Sequence, residues 1–249
     1  PSVRGASPGA GADGASGTGG DKIGAGRAAG IGSGGDEMGL ERVDVRCRLG
    51  GRLVLALDRA AFPAGQVTAV RGANGVGKTT LARIVTGLQR SAGLVTWRGR
   101  PLRRRARHRL SAIVMQDVQR QLFAVSVRAE IELAATQAPG PLDADACQTI
   151  LADLDLAAEA ERHPLALSGG QQQRLVVAAA RVARRPIVVF DEPSSGVDRR
   201  HLGSISDQIR SLATDGAVVL LISHDEDLIA LAADRQLNLV TPQPRCSRG

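Results

Sequence analysis

Apolar and polar side chains alternate along three short runs, ERVDVRCRL (41–49), RLVLALD (52–58) and QVTAVRG (66–72). A period of two, rich in β-branched residues and bounded by turn residues, predicts strands. At 78–88, KTTLARIVTGL, the apolar spacing widens to three and four residues, which predicts a helix ending near Gly87. Residues 93–97 read as a strand again, 98–109 as a polar stretch with seven arginines, and SAIVMQ (111–116) as a short buried strand. From 126 to about 162, alanine, leucine and carboxylates at helical spacing predict two or three helices, interrupted by APGP (138–141). GQQQRLVVAAARVARR (170–185) predicts a long helix, followed by the strand PIVVF. A helix near 199–213, the strand AVVLLIS (217–223), a helix near 226–233 and a last short strand complete the series. Strands alternating with helices imply a largely parallel sheet with crossover helices, and the helix-only stretch reads as an inserted lobe.

Composition narrows the class. A chain of 249 residues can bury one sizeable core, with or without an inserted lobe. Hydrophobic content of 43% and charged content of 23% are ordinary for a soluble globular protein. The net charge of +7 comes from arginine: of 32 basic residues only Lys22 and Lys78 are lysine, which makes Lys78 inside a glycine loop conspicuous. With no tyrosine, one tryptophan and three phenylalanines, a base-stacking platform for nucleic acid is poorly supplied. Cys47, Cys147 and Cys246 are widely spaced and odd in number, which suits a reducing compartment better than a disulfide framework or metal knuckle. The longest apolar run, GAVVLLI (216–222), has the length of a buried strand and falls well short of the ~20 residues of a membrane span. Residues 1–36 are dominated by Gly, Ala and Ser and read as a flexible linker or tail. That segment is either a junction between fused domains or a disordered N-terminus, and the initial proline suggests processing or a longer parent. The folded domain is expected over 37–249, with its helical part at about 118–165.

Several short stretches carry chemistry. GANGVGKT (72–79) fits G-x-x-x-x-G-K-[ST], directly after a predicted strand and directly before a predicted helix. Gly72, Gly75 and Gly77 permit a turn tight enough for backbone N–H groups to face phosphate oxygens. Lys78 places a charge on the β- and γ-phosphates, and Thr79 offers a hydroxyl to Mg²⁺. PIVVFDEP (186–193) is an apolar strand ending in two acids, a costly arrangement unless they meet a cation or move a proton. Asp191 is placed to hold Mg²⁺, and Glu192 to orient or deprotonate an attacking water. His224 ends the strand AVVLLIS, on the sheet edge where the phosphate loop and Asp191 lie, within reach of a γ-phosphate. Gln116 ends SAIVMQ, between the phosphate loop and the helical lobe; alone it would be an ordinary turn residue, and its role rests mainly on the resemblance given below.

LSGGQQQR (167–174) poses a different question. Ser168 with Gln171 three residues on forms a capping box, which would by itself explain a helix start. A capping box does not require Gly169 and Gly170, which weaken a first turn by ~1 kcal/mol each. They do permit close backbone approach, and a helix N-terminus attracts anions. The chain's own nucleotide already has a cradle, so the simplest use of a second is nucleotide held by another chain.

Together these residues resemble the ATP-binding-cassette (ABC) ATPase family over essentially all of residues 40–240. The match comprises a Walker A loop GANGVGKTT, the Q-loop Gln116, the signature LSGGQQQR, a Walker B strand IVVFDEP, a D-loop SSGVD (194–198) and a switch histidine in SHD (223–225). The resemblance implies an α/β fold: a P-loop NTPase core with a mainly parallel sheet, an N-terminal antiparallel β subdomain and an inserted α-helical subdomain. It implies ATP and Mg²⁺ as cofactors, with Asn74 and Thr80 joining the loop's nucleotide contacts. It assigns Thr79, Gln116 and Asp191 to the metal, and Glu192, His224 and Gln116 to catalysis. Ser168, Gly169, Gly170 and Gln171 would act in trans on the ATP of a second ABC ATPase domain, either an identical copy or a fused or heterodimeric half, with Asp198 at the interface. Transmembrane transporter subunits are the other implied partners, which places the chain peripherally on the cytoplasmic face of the membrane.

Residues 114–134, VMQDVQRQLFAVSVRAEIELA, look like the Q-loop region of energy-coupling factor (ECF) importer ATPases, which serve vitamin or transition-metal uptake. Gln121, Leu122 and Phe123 would then line a groove for the scaffold's coupling helices; the plainer reading packs Leu122 and Phe123 in the lobe. The family pattern fails at one place, because RCRLGGR (46–52) lacks the aromatic on which adenine usually stacks. Arg48, by its guanidinium plane, or Leu49 is left for that role, and GTP stays open alongside ATP. The alternative of another class is a non-transport ABC ATPase on nucleic acid or ribosomes, supported by RGRPLRRRARHR (98–109) and a pI near 10.7. A charge run is more often a solvated face and no long coiled-coil insertion is present, so no nucleic-acid partner is expected. A silent, non-hydrolysing subunit would need a damaged motif, and Glu192, His224 and the signature are intact.

Overall fold

The computed structural model describes residues 39–138, 140 and 144–242; the segment 1–36, Cys246 and part of APGP lie outside the described residues. Two sheets organise them. The first is antiparallel, in the order β2 (Arg52–Pro63), β1 (Gly39–Leu49), β4 (Ala92–Trp97) and β5 (Arg100–Pro101). The second is wholly parallel, in the order β6 (Ser111–Val114), β7 (Ile187–Asp191), β8 (Val218–Ile222), β3 (Val67–Arg71) and β9 (Arg235–Asn238).

The central strands β7 and β8 of the parallel sheet are buried along their whole length because both faces are covered there, whereas the edge strand β9 is polar and largely exposed. Val188 and Phe190 of β7 and Val219 and Leu221 of β8 face one core. That core also holds α3 (Val127–Ala135), α5 (Gly169–Ala183) and α6 (Leu202–Thr214). The alternate residues, Ile187, Val189, Val218 and Leu220, face a second core with α1 (Lys78–Val85) and the antiparallel sheet. Between β6 and α5 run a short 3₁₀ turn at Val118–Gln121, α3, α4 (Ala144–Asp153) and two more such turns. Helix α7 (Glu226–Ala232), capped by the Asp225 carboxylate on two backbone N–H groups, leads into β9.

Three sequence boundaries shift. Helix α1 ends at Val85, where Thr86 turns its hydroxyl back to the Ala82 carbonyl at 2.8 Å. Helix α5 begins at Gly169 and stops at Ala183, because Arg184 adopts a left-handed φ of 47°. The arginine stretch is not all loop: it contains β5 and a short helix α2 (Arg104–Leu110). Arg107 is buried there, its guanidinium donating to the Leu102 carbonyl at 3.2 Å. Arginine stems supply apolar surface that a count of charged residues does not register.

Candidate functional site

All the parallel strands end at the same edge, and the loops leaving them form a cleft of about 680 Å³. The loop after β3 contributes Asn74, Gly75, Gly77, Lys78, Thr79 and Thr80. Gly77 caps α1 at a φ of 108°, and a Cβ there would sit 2.8 Å from the Val54 carbonyl oxygen, so no other residue fits without displacing β2. Lys78 is folded along the loop and donates to the Gly72 carbonyl at 2.7 Å and the Ala73 carbonyl at 3.3 Å. Gly72, expected at the nucleotide, does not line the cleft; its φ of 144° and the Leu239 carbonyl oxygen, 2.7 Å from where a Cβ would sit, reserve the position for glycine.

Asp191 ends β7 at the cleft floor and is buried. Burial pushes its carboxyl above the usual range, and a hydrogen bond from Thr79 and the charges of Arg83 and Lys78 pull it back in part. Glu192 turns the chain with a φ of 57°, its N–H donating to the Ile222 carbonyl at 2.8 Å. Its carboxylate accepts from the Ser223 hydroxyl at 3.4 Å and the His224 backbone N–H at 3.3 Å. The His224 Nε2 lies 3.6 Å from Glu192 Oε1. Gln116, past the end of β6, lines the same cleft.

The signature residues lie outside the cleft. Ser168 caps α5, its hydroxyl accepting from the Gln171 N–H at 3.3 Å while the Gln171 side chain accepts from the Ser168 N–H at 2.9 Å. The capping box is thus real, yet it does not explain both glycines. A Cβ at Gly170 would approach the Gly196 carbonyl oxygen to 3.1 Å, whereas one at Gly169 would meet nothing within 4 Å. Asp198 caps a short 3₁₀ turn over Arg199–His201 and is exposed.

Two expectations need correction. Arg48 donates to the Gly51 carbonyl at 2.9 Å in the β1–β2 turn, and neither it nor Leu49 lines the cleft. Val54 lines it instead, a residue indistinguishable in the sequence from any strand valine. The QLF stretch does not form a groove lining as a unit. The Gln121 amide bonds the Met115 N–H at 2.7 Å and the Ile113 carbonyl at 2.6 Å, completing the edge of β6, and Leu122 is buried. Phe123 alone of the three is open to solvent, 77% exposed beside Val125 at 79%, so it does not pack the lobe either. Ile222, Ser194 and Ser195 are further cleft residues, and Ser223 supports Glu192 beside them; the signal for Ile222 is the pairing of two parallel strand ends, since it stands opposite Asp191.

A glycine loop between strand and helix, a strand-end acid pair and a histidine at one edge of a parallel sheet define a P-loop nucleotide-binding domain. The chain belongs to the ABC transporter family, whose model matches residues 58–195. It is 42% identical over 197 residues to an ABC transporter ATP-binding protein of Treponema denticola, covering 79% of this chain and 40% of that protein. It is 31% identical over 198 residues to the zinc import ATP-binding protein ZnuC of Halorhodospira halophila, covering 79% of this chain and 72% of that one. Among solved structures, cbiO1 of Clostridium perfringens superposes with a TM-score of 0.68 at 23% identity, covering 82% of this chain and 85% of that chain. This likeness bears on the fold.

Proposed function

We propose that the chain binds and hydrolyses ATP in this cleft, shares each site with a second ATPase domain, and thereby drives a membrane transporter. The convergence of Lys78, Thr79, Gln116, Asp191, Glu192 and His224 at one sheet edge carries the reading. On binding ATP, Lys78 would exchange the Gly72 and Ala73 carbonyls for phosphate oxygens, a charge-assisted contact. The donors near Asp191 fit Mg²⁺: a hydroxyl, a carboxylate and an amide oxygen are hard ligands, and a buried carboxylate favours a cation beside it. Thr79, Asp191 and Gln116 would hold the ion together with phosphate oxygens. When bound, it supplies charge neutralisation on the phosphates. Glu192, steadied by Ser223 and His224, would orient the attacking water and receive its proton, and the His224 ring would hydrogen-bond the γ-phosphate.

The open space at Gly169 supports the second cradle, because nothing in this chain requires a glycine there. Ser168, Gly169, Gly170 and Gln171 would close on ATP held by a partner domain. The segment 118–165, attached through Gln116, would relay closure and opening to transmembrane subunits, within a domain spanning 37–249. The finer reading is an ECF-type importer of a vitamin or metal ion, working peripherally at the cytoplasmic membrane face. Its support is the resemblance of residues 114–134, with Phe123 and Val125 as exposed apolar contacts. The solved cbiO1 is described as part of the ABC transporter complex cbiONQ, and ZnuC as a zinc import protein.

The test is to purify the native protein from detergent-solubilised membranes and identify its companions by mass spectrometry. A small multi-span scaffold with a substrate-capture protein is the expected outcome. Other transmembrane subunits would retain transport and remove the ECF assignment. Recovery only with ribosomes or DNA would overturn transport altogether.

A further inference from the structure

We infer that the arginine face between Arg98 and Arg109 binds anionic phospholipid headgroups directly. No Asp or Glu occurs between Arg59 and Gln116, although eleven lysine and arginine residues do. Within this stretch Arg98, Arg100, Arg103, Arg104, Arg105 and Arg109 are all exposed. Among the described residues none of the six forms an ion pair. The carboxylate that reaches the segment is Glu41, and it accepts from the Gly99 N–H at 3.1 Å. Arg105 and Arg109 stand one turn apart on α2, a like-charge spacing that works against the helix. The fold holds that helix in place through buried Arg107 and through Arg104, which donates to the Gly87 carbonyl at 3.2 Å.

The face continues past α2. Arg185 donates to the Arg109 carbonyl at 2.9 Å, and Arg184 and Arg185 rim a hollow of about 580 Å³ with Leu110, Pro186 and Leu212 in its lining. Asp215 also lines the hollow, but it is paired with Arg181. At the other end Arg98 lies 5.9 Å from the centroid of the half-buried Trp97 ring. Unpaired guanidinium groups over a broad face, with apolar surface at both ends, match a layer of phosphates above a hydrocarbon interior. A single-stranded nucleic acid would ask for several stacking rings, and the segment offers Trp97 beside it and the small His108 imidazole within it; Phe62 and Phe190 are fully buried. The contact is with lipid and needs no transporter subunit, so it stands apart from the coupling proposed above.

The experiment is vesicle flotation of the 249-residue chain with phosphatidylcholine alone and with phosphatidylcholine containing about a third phosphatidylglycerol. Binding is expected to the anionic vesicles only, and to weaken as salt shortens the screening length. At about 1 kcal/mol per arginine near the surface, each pair Arg100→Gln/Arg103→Gln and Arg105→Gln/Arg109→Gln should lower the partition coefficient roughly 30-fold. Making the pairs separately guards against one of them unfolding the chain, checked by its melting temperature. The control pair Arg46→Gln/Arg52→Gln, on β1 and β2, should leave binding unchanged. Equal binding to neutral vesicles, equal loss in the control, or retention of RNA or duplex DNA with no vesicle binding would each overturn the inference.

Discussion

Glu192 holds its backbone in the left-handed region, where a side chain costs roughly 1–2 kcal/mol. The strain sits where the carboxylate must leave β7 and meet Ser223 and His224. Glu192→Gln keeps the backbone and removes the base; it should lower ATP turnover at least 100-fold in a steady-state phosphate-release assay, consistent with general-base contributions of about 10²–10⁴. Near-parental turnover would remove the assigned role. Glu192→Gly should be equally inactive yet more stable to denaturant by about 1 kcal/mol, because glycine accepts the positive φ. Asp191 makes the opposite kind of statement. Burial raises its carboxyl pKa in the folded state, so the folded chain binds that proton more readily than the unfolded one. Stability from this group is therefore full below the ordinary carboxylate range and lost as pH rises through the raised value. Asp191→Asn should melt higher than the parent at pH 7 without nucleotide, with the gain shrinking toward pH 4. The parent should gain more from Mg²⁺ and ATP than the variant, which scanning calorimetry would show.

At the scale of elements, helix α5 combines a structural cap with an uncovered first turn. The two roles separate by substitution. Ser168→Asp preserves a side-chain oxygen for the Gln171 N–H, so the melting temperature should stay within about 2 °C of the parent, since aspartate caps as well as serine. The added negative charge would face an incoming phosphate, so turnover should fall sharply while ATP binding to the isolated chain is retained. Loss of binding by the isolated chain would place Ser168 in its own site and end the in-trans reading. Gly169→Ala is complementary: helix propensity favours alanine by up to about 1 kcal/mol, and the space around that Cβ is open in the chain alone. It should raise stability and lower turnover. Arg174, on the same helix, is buried with its Nε donating to the Leu154 carbonyl at 2.7 Å, which ties α5 to the end of α4.

For the whole molecule, the expectation is an assembly in which each cleft is finished by another domain. Glu192→Gln with ATP and Mg²⁺ should double in mass by light scattering and return to a single mass with ADP; Lys78→Ala in the same background should not double. Much of this architecture is legible in residue order. Local patterns announce the strands, the glycine loop with Lys78 and Thr79, the acid pair at the end of β7 and the cap of α5, because each depends on neighbours within a few positions. Periodicity likewise specifies a parallel sheet covered on both faces, and parallel strand ends imply that Asp191 and His224 share an edge. What residue order leaves undetermined depends on contacts far apart in the chain. Val54 reaches the cleft because β2 packs across Gly77, and Gln121 completes a strand edge because its amide matches the spacing of two backbone groups. Arg107 becomes core while its neighbours become a charged face, because α2 folds back on the Leu102 carbonyl. Only the tertiary structure decides which polar groups find a partner and which are left facing outward, since burial and hydrogen bonding are properties of the assembled chain.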